Sequence, residues 1–298
     1  MSSKVTVVMI TYNGHQFFKE QADSILNQSY KPYLLYIQDD CSNPDFQNDL
    51  LAYSVKQRDK LMLNILNKNV GVIENIKSAI ASNSDTSLIA LSDQDDIWKK
   101  DKLQAVVSKI EAKSGLDHPL LVYHDAEIID KNGKVILPSF WAYLGQNWYE
   151  HRLETFLFGN FITGSTMVFN QALANYSKDI PTDLETLHDA WLGLCAFCFG
   201  EVVQIKKPLN RYRHHGNNVA FKELKTKNTP LFSKIRNWLT DRQLLNEEGK
   251  MVERFLQVYK EELSQDKQAQ LIRFLRLTKR PPIFRRIVKS IVLRKYRL

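Results

Sequence analysis

Apolar residues in the first hundred positions recur in two rhythms. "KVTVVMITY", "YLLYIQ", "LMLNIL" and "TSLIAL" are apolar runs of strand length, the first of them rich in β-branched residues. Between the first two, Phe17, Phe18, Ala22, Ile25 and Leu26 fall at near-helical spacing, and that helix is expected to stop between Ser29 and Pro32. "VIENIKSAIAS" has the same helical spacing between the third and fourth strands, and Asn13-Gly14 is a turn signal closing the first strand. Strands alternating with helices over short connections predict an α/β fold, a mainly parallel sheet with helices on both faces.

Beyond about residue 115 the pattern changes. "LLVYHDAEIID" and "KVILP" flank the turn Lys131-Asn132-Gly133 and predict a hairpin. An aromatic-rich stretch with Phe140, Trp141, Tyr143, Trp148 and Tyr149 follows, then a strand in "FITGSTMVF" and a helix in "LHDAWLGLCAFCFG". From about residue 226 the chain reads as helical and charged. Two regions are expected, an α/β domain over residues 1–225 and a helical region over 226–298.

Composition adds little until the charge is located. The 298 residues are 44% hydrophobic and 25% charged, ordinary for a globular protein, with a net charge of +8. The last twenty residues, "KRPPIFRRIVKSIVLRKYRL", hold eight Lys/Arg and no acid, leaving 33 basic and 33 acidic side chains in the rest. A charge-neutral body argues against nucleic acid as a partner. In the tail, Ile283, Phe284, Ile287, Val288, Ile291 and Val292 recur at helical spacing between basic residues. This basic amphipathic helix suits a membrane surface, or packs on the body or on a second copy in a homodimer. The N-terminus shows no signal-peptide pattern and no apolar run reaches spanning length, so a cytoplasmic protein is expected, peripheral on the inner face of the plasma membrane. Cys195 and Cys198 form a lone CxxC in an apolar helix and read as core residues.

The chemistry gathers in three places. Asp39-Asp40 and the stretch "SDQDDIW", with Asp93, Asp95 and Asp96, each follow a predicted strand, where ligands of open α/β sheets bind. Such carboxylates suit Mg2+ or Mn2+ beside a phosphate; an acidic N-cap of a helix starting near Ile97 explains the triplet as well. No GxGxxG follows the first strand and no P-loop occurs, so phosphates would be held by other means. "NRYRHHGNN" brings arginines suited to phosphate and an imidazole suited to Mn2+. "LHDAW" sets Asp189 at a helix start, as a general base or a cap, with Trp191 as an apolar wall for a sugar.

"VVMITYNG", "SILNQSYKPYLLYIQDDCSN", "SDQDDIW", "HDAWL" and "YRHHGNN", in this order, resemble the family 2 inverting glycosyltransferases of GT-A fold, nearest their bacterial rhamnosyltransferase-like branch. The resemblance implies a Rossmann-like GT-A sheet over about residues 4–220. It also implies metal-dependent transfer of a sugar, rhamnose from dTDP-rhamnose or a hexose from a UDP-sugar. The acceptor would be a glycan or lipid-linked saccharide in surface polysaccharide synthesis. Carried onto this chain, Thr11, Tyr12, Asn13, Asp39, Asp40, Asp93, Gln94 and Arg213 would bind the nucleotide-sugar, with Asp93 toward the ribose and Arg213 on the diphosphate. Asp95 and His215 would hold Mn2+ or Mg2+, and Asp189 would be the catalytic base. Asp96, Trp98, His188 and Trp191 would support the loop or face the acceptor. His188 stands where many members have Glu, and His214 where Gln is common. A metal-dependent nucleotidyltransferase is the other enzyme class considered, but it would want a glycine-rich basic loop that "TYNGHQFF" lacks.

Overall fold

The computed structural model describes residues 3–113, 117–184, 188–214 and 243–298. The first half follows the apolar rhythm closely: β1 (Val5–Thr11), α1 (Phe18–Leu26), β2 (Leu34–Asp39), α2 (Pro44–Lys56), β3 (Leu61–Ile65), α3 (Val72–Ala81) and β4 (Leu88–Ser92). Then come β5 (Ile97–Trp98), α4 (Lys102–Glu111), β6 (Leu120–Ile129), β7 (Val135–Leu137), α5 (Phe140–Tyr143), α6 (Leu153–Phe156), β8 (Met167–Asn170), α7 (Gln171–Ala174), α8 (His188–Phe199) and β9 (Glu201–Arg213). Three helices close the chain: α9 (Asn246–Tyr259), α10 (Gln265–Thr278) and α11 (Pro282–Lys295).

One sheet runs in the order β3-β2-β1-β4-β8-β6-β9-β5, with β7 beside β6. The strands β3, β2, β1 and β4 are parallel, as predicted, and so are β6 and β9. The short strand β8 runs antiparallel between β4 and β6 and joins the two parallel parts. Alternate residues of β1 enter opposite cores. Val5, Val7 and Met9 pack with α1, α2 and α4, while Val8 faces the core shared by α3, α8 and the C-terminal helices. Burial on both faces is why these strands read as near-continuous apolar runs.

The structure differs from expectation in three places. Ile97 and Trp98 do not start a helix; they pair with Arg211 and Asn210 as β5, and the next helix begins at Lys102. The long strand β9 has no counterpart in the predicted pattern. Its register against β6 shifts around Asp125, which pairs with Pro208, and a proline in a bulged strand hides the period-two signal. In "FITGSTMVF" only Met167–Asn170 is strand, because Gly164–Thr166 forms a tight helical turn first.

The C-terminal helices are not a separate body. Met251, Val252, Phe255, Tyr259, Leu271 and Phe274 share one core with Trp191, Leu192 and Cys195 of α8. The expected boundary at 225/226 lies outside the described residues. Among the described residues, no helix is long and apolar enough to cross a membrane.

Candidate active site

Parallel pairing brings the carboxyl ends of β1, β2 and β4 to one edge, with Thr11 opposite Asp39 in register. Thr11 donates to Asp39 Oδ1 at 2.9 Å, and the same carboxylate takes the Ser42 N–H at 2.8 Å and the Ser42 hydroxyl at 2.6 Å. Asp39 is thus a buried joint that shapes the loop after β2. Asn13, in the left-handed region at φ 49°, accepts from Asn43 N and Nδ2 and donates its N–H to Ser42, bracing that loop from the other side. Tyr12 is 51% exposed at the rim.

Two residues expected to meet the nucleotide have other partners. Asp40 accepts the N–H groups of Val70 and Gly71 at 2.7 and 2.9 Å, holding the entrance to α3. The Gln94 amide forms a two-point pair with the Tyr12 backbone, accepting its N–H at 2.9 Å and donating to its carbonyl at 3.1 Å. This pair needs Gly14, since a Cβ there would come within 2.2 Å of Gln94 Oε1.

The acidic loop after β4 contains three different environments. Asp96 is buried, accepting from Asn210 Nδ2 at 2.8 Å and from the Arg213 N–H at 3.1 Å. Desolvation, then the charge of Asp95, pushes its pKa up to about 7. Asp93 is raised well above the carboxylate range, first by desolvation and then by Asp96, Asp95 and Asp189. Asp189 is tied to this loop through the turn at Gly164, which gives Asp189 its N–H, while the Oγ of the next residue, Ser165, accepts from Asn210, the partner of Asp96. Asp95 is half-buried, and its backbone carbonyl accepts from Arg213 Nε at 2.7 Å.

Arg213 is not aimed at a diphosphate. Its guanidinium bonds the carbonyls of Asp95 and Lys131, pairs with Glu20 at 2.6 Å and stacks over Phe17. It is a buried strut that fixes the Asp95 loop. Trp98 lies in the core under the ammonium of Lys102, and Trp191 packs on Phe255 and Tyr259, so neither faces an acceptor. Cys195 is buried in that same core, and desolvation raises its thiol well above the ordinary range.

Asp189 opens α8 with both oxygens engaged. Oδ1 accepts from Asn160 Nδ2 at 3.0 Å and from the Ala190 N–H at 2.6 Å, and Oδ2 accepts the Gly164 N–H at 3.2 Å. Burial nevertheless lifts its pKa to about 6. His188 is buried beside it, its Nδ1 without a partner among the described residues and its pKa lowered by burial to about 4. Its Nε2 lies so close to Gly164 that a Cβ there would be 2.3 Å away. A neutral imidazole with a bare nitrogen beside a carboxylate raised toward neutrality suits proton transfer from a hydroxyl.

Lys102, Asn160, Ser165, Asn210 and Glu20 also support this site and were not singled out from sequence. Only Lys102 left a trace: it falls on the same stripe as Val106 and Ile110, in a position where a lysine is out of place. Among the described residues no three ligating side chains stand ready around a metal position. His215, the expected imidazole ligand, lies outside the described residues. The donor set still fits a hard divalent cation: carboxylates close enough to raise one another, with one or two protein oxygens sufficing when phosphate and water complete the shell.

The family model for glycosyl transferase family 2 matches residues 6–180. The dTDP-rhamnosyl transferase RfbG of Shigella flexneri is 30% identical over 70% of this chain and 72% of its own length. The Escherichia coli UDP-Glc:alpha-D-GlcNAc-diphosphoundecaprenol beta-1,3-glucosyltransferase WfgD is 30% identical over 45% of this chain and 51% of its own. A putative teichuronic acid biosynthesis glycosyltransferase of Bacillus subtilis, TuaG, is 31% identical over 34% of this chain, and the match spans 39% of its length. In solved structures the fold matches the mannosyltransferase PcManGT of Pyrobaculum calidifontis in complex with GDP-Man and Mn2+. The TM-score is 0.56 at 16% identity, over 98% of this chain and 85% of that one.

Proposed function

The chain belongs to glycosyl transferase family 2, and from that premise we propose that it moves a sugar from a nucleoside diphosphate donor to a hydroxyl of a glycan or lipid-linked saccharide, inverting the anomeric carbon. The observation that carries this reading is the hydrogen-bonded link between the acidic loop after β4 and the start of α8: Asn210 Nδ2 reaches both Asp96 and Ser165 Oγ, and Gly164, next to Ser165, gives its N–H to Asp189. Donor-side carboxylates and a buried base with its pKa near 6 are thereby held together.

Thr11, Tyr12 and Asp39 form the nucleobase end, and Asp93 faces the ribose. Asp95, with His215, would hold Mn2+ or Mg2+, and the bound ion would offset the negative charge of the departing diphosphate. Asp96 and Arg213 hold the loop that presents Asp95. Asp189 accepts the proton of the acceptor hydroxyl as its oxygen bonds the anomeric carbon and the bond to the diphosphate breaks on the opposite face. The Mn2+ complex of the archaeal mannosyltransferase supports the metal reading.

The likeness to the Shigella enzyme favours dTDP-rhamnose as donor, and the likeness to WfgD favours a UDP-hexose as the second reading. Thermal shift with a panel of nucleotide sugars in Mn2+ separates them. The larger stabilisation is expected with dTDP-rhamnose; a shift with UDP-glucose alone would move the reading to the hexose, and no shift with any nucleotide would refute donor binding.

The tail reading gains a geometry. On α11, Val288, Val292 and Leu293 pack toward the body, while Ile283, Phe284, Ile287 and Ile291 are 46%, 47%, 49% and 60% exposed. An outward apolar stripe on a helix with basic residues and no acid suits the surface of an anionic bilayer. That surface is the proposed site of peripheral attachment.

A further inference from the structure

The proposed donor side and acceptor side are linked by a residue that belongs to neither. Lys102, the first residue of α4, is fully buried beneath the acidic loop. Its Nζ donates to the Ser165 carbonyl at 2.6 Å and stands 3.4 Å above the Trp98 ring centroid; burial lowers its pKa well below the ordinary lysine range, against the charges of Asp96 and Asp93. Ser165 sits in the Gly164–Thr166 turn, whose first residue gives its N–H to Asp189. A second tie runs alongside the first. Asn210 Nδ2 reaches Asp96 Oδ2 at 2.8 Å and Ser165 Oγ at 3.2 Å. Lys102 and Asn210 therefore join the loop carrying Asp93, Asp95 and Asp96 to the turn that orients Asp189.

Taking an amine out of water is unfavourable, and this one offsets the cost by hydrogen-bonding the Ser165 carbonyl beside Asp96 and Asp93. The bond also has a direction: it fixes one carbonyl of the turn against one face of the acidic loop. We propose that Lys102 is a positioning residue for the transfer, holding the acidic loop and the Asp189 turn in one register so that donor carbon and acceptor hydroxyl meet in line. This rests on the function proposed above. Small displacements of groups remote from the chemistry can lower turnover by on the order of 100-fold.

The test is Lys102→Met in the full chain, followed by steady-state transfer, calorimetry with Mn2+ and a nucleoside diphosphate, and thermal melting. The expected result is a split. Turnover per folded protein falls about 10- to 100-fold, nucleotide affinity in saturating Mn2+ stays within a few-fold, and the melting temperature falls because the Ser165 carbonyl loses its partner. A lysine that only fills space would give wild-type turnover once active protein is counted, and that result overturns the proposal. So does a parallel loss of turnover and nucleotide affinity. Asn210→Ala removes the second tie and should likewise lower turnover at kept nucleotide affinity, with a lower melting temperature because Asp96 loses a buried partner, which keeps the proposal falsifiable if the lysine variant does not fold. Turnover of the unaltered chain in the same assay reports separately on the functional reading.

Discussion

Asp39, Asp40, Asp93, Asp96 and Asp189 are chemically identical side chains given different tasks by their neighbours. Asp40 takes two backbone amides and becomes a loop anchor. Asp96 and Asp189 are buried with pKa values lifted from 3.8 to about 7 and about 6. Their neutral forms therefore favour the fold. That stability is fully present below pH 3.8 and is lost as pH rises through 6 to 7. Metal-free protein should accordingly melt at a lower temperature at pH 8 than at pH 5, with the difference reduced in Asp96→Asn; differential scanning calorimetry across that range checks it. For catalysis the sign reverses, because the base works only when ionised. The ratio kcat/KM should fall about tenfold per pH unit below about 6, and a profile flat to pH 5 would remove Asp189 from that role. Residue types at strand ends were legible in sequence, but the direction each side chain takes was not. Gln94, Trp98, Trp191 and Arg213 look functional by type and turn toward backbone or core, because partners such as Phe255, Glu20 and Lys131 are distant in sequence.

At the level of elements, the strand–helix alternation through β4 was readable from short apolar runs alternating with helical spacing, and α8 from its long apolar stretch. The strand β9 was not, since Pro208 and a bulge break its alternation, yet it delivers both Asn210 and Arg213 under the acidic loop. The proposed cation seat is thus held by β4 and β9 together rather than by its own sequence. Arg213→Met separates a strut from a phosphate contact. As a strut, the substitution should destabilise the fold by on the order of 3 kcal/mol while leaving the KM for donor within a few-fold in protein that remains folded. Chemical denaturation with parallel donor titration measures both. A raised KM with unchanged stability would return Arg213 to the diphosphate.

Over the whole molecule, net charge is distributed unevenly. The first 278 residues balance 33 basic against 33 acidic side chains, and the excess lies in the last twenty. The tail pattern was legible in sequence, although its division into an inward and an outward stripe needed the packing of α11. Truncation would uncover Val288 and Val292, so Ile287→Asp with Ile291→Asp is the cleaner change. Both positions are exposed, so stability should stay within about 0.5 kcal/mol, while sedimentation with phosphatidylserine vesicles should be lost. Retained sedimentation, or a dimer in the unaltered chain that the pair dissolves, would assign the stripe to another partner. The most direct test of the whole account is Asp189→Asn assayed for sugar transfer beside nucleotide calorimetry in Mn2+. Turnover should drop by on the order of 100- to 10,000-fold while nucleoside diphosphate affinity stays within threefold of the unaltered chain. Wild-type turnover in Asp189→Asn would contradict the assignment of the base.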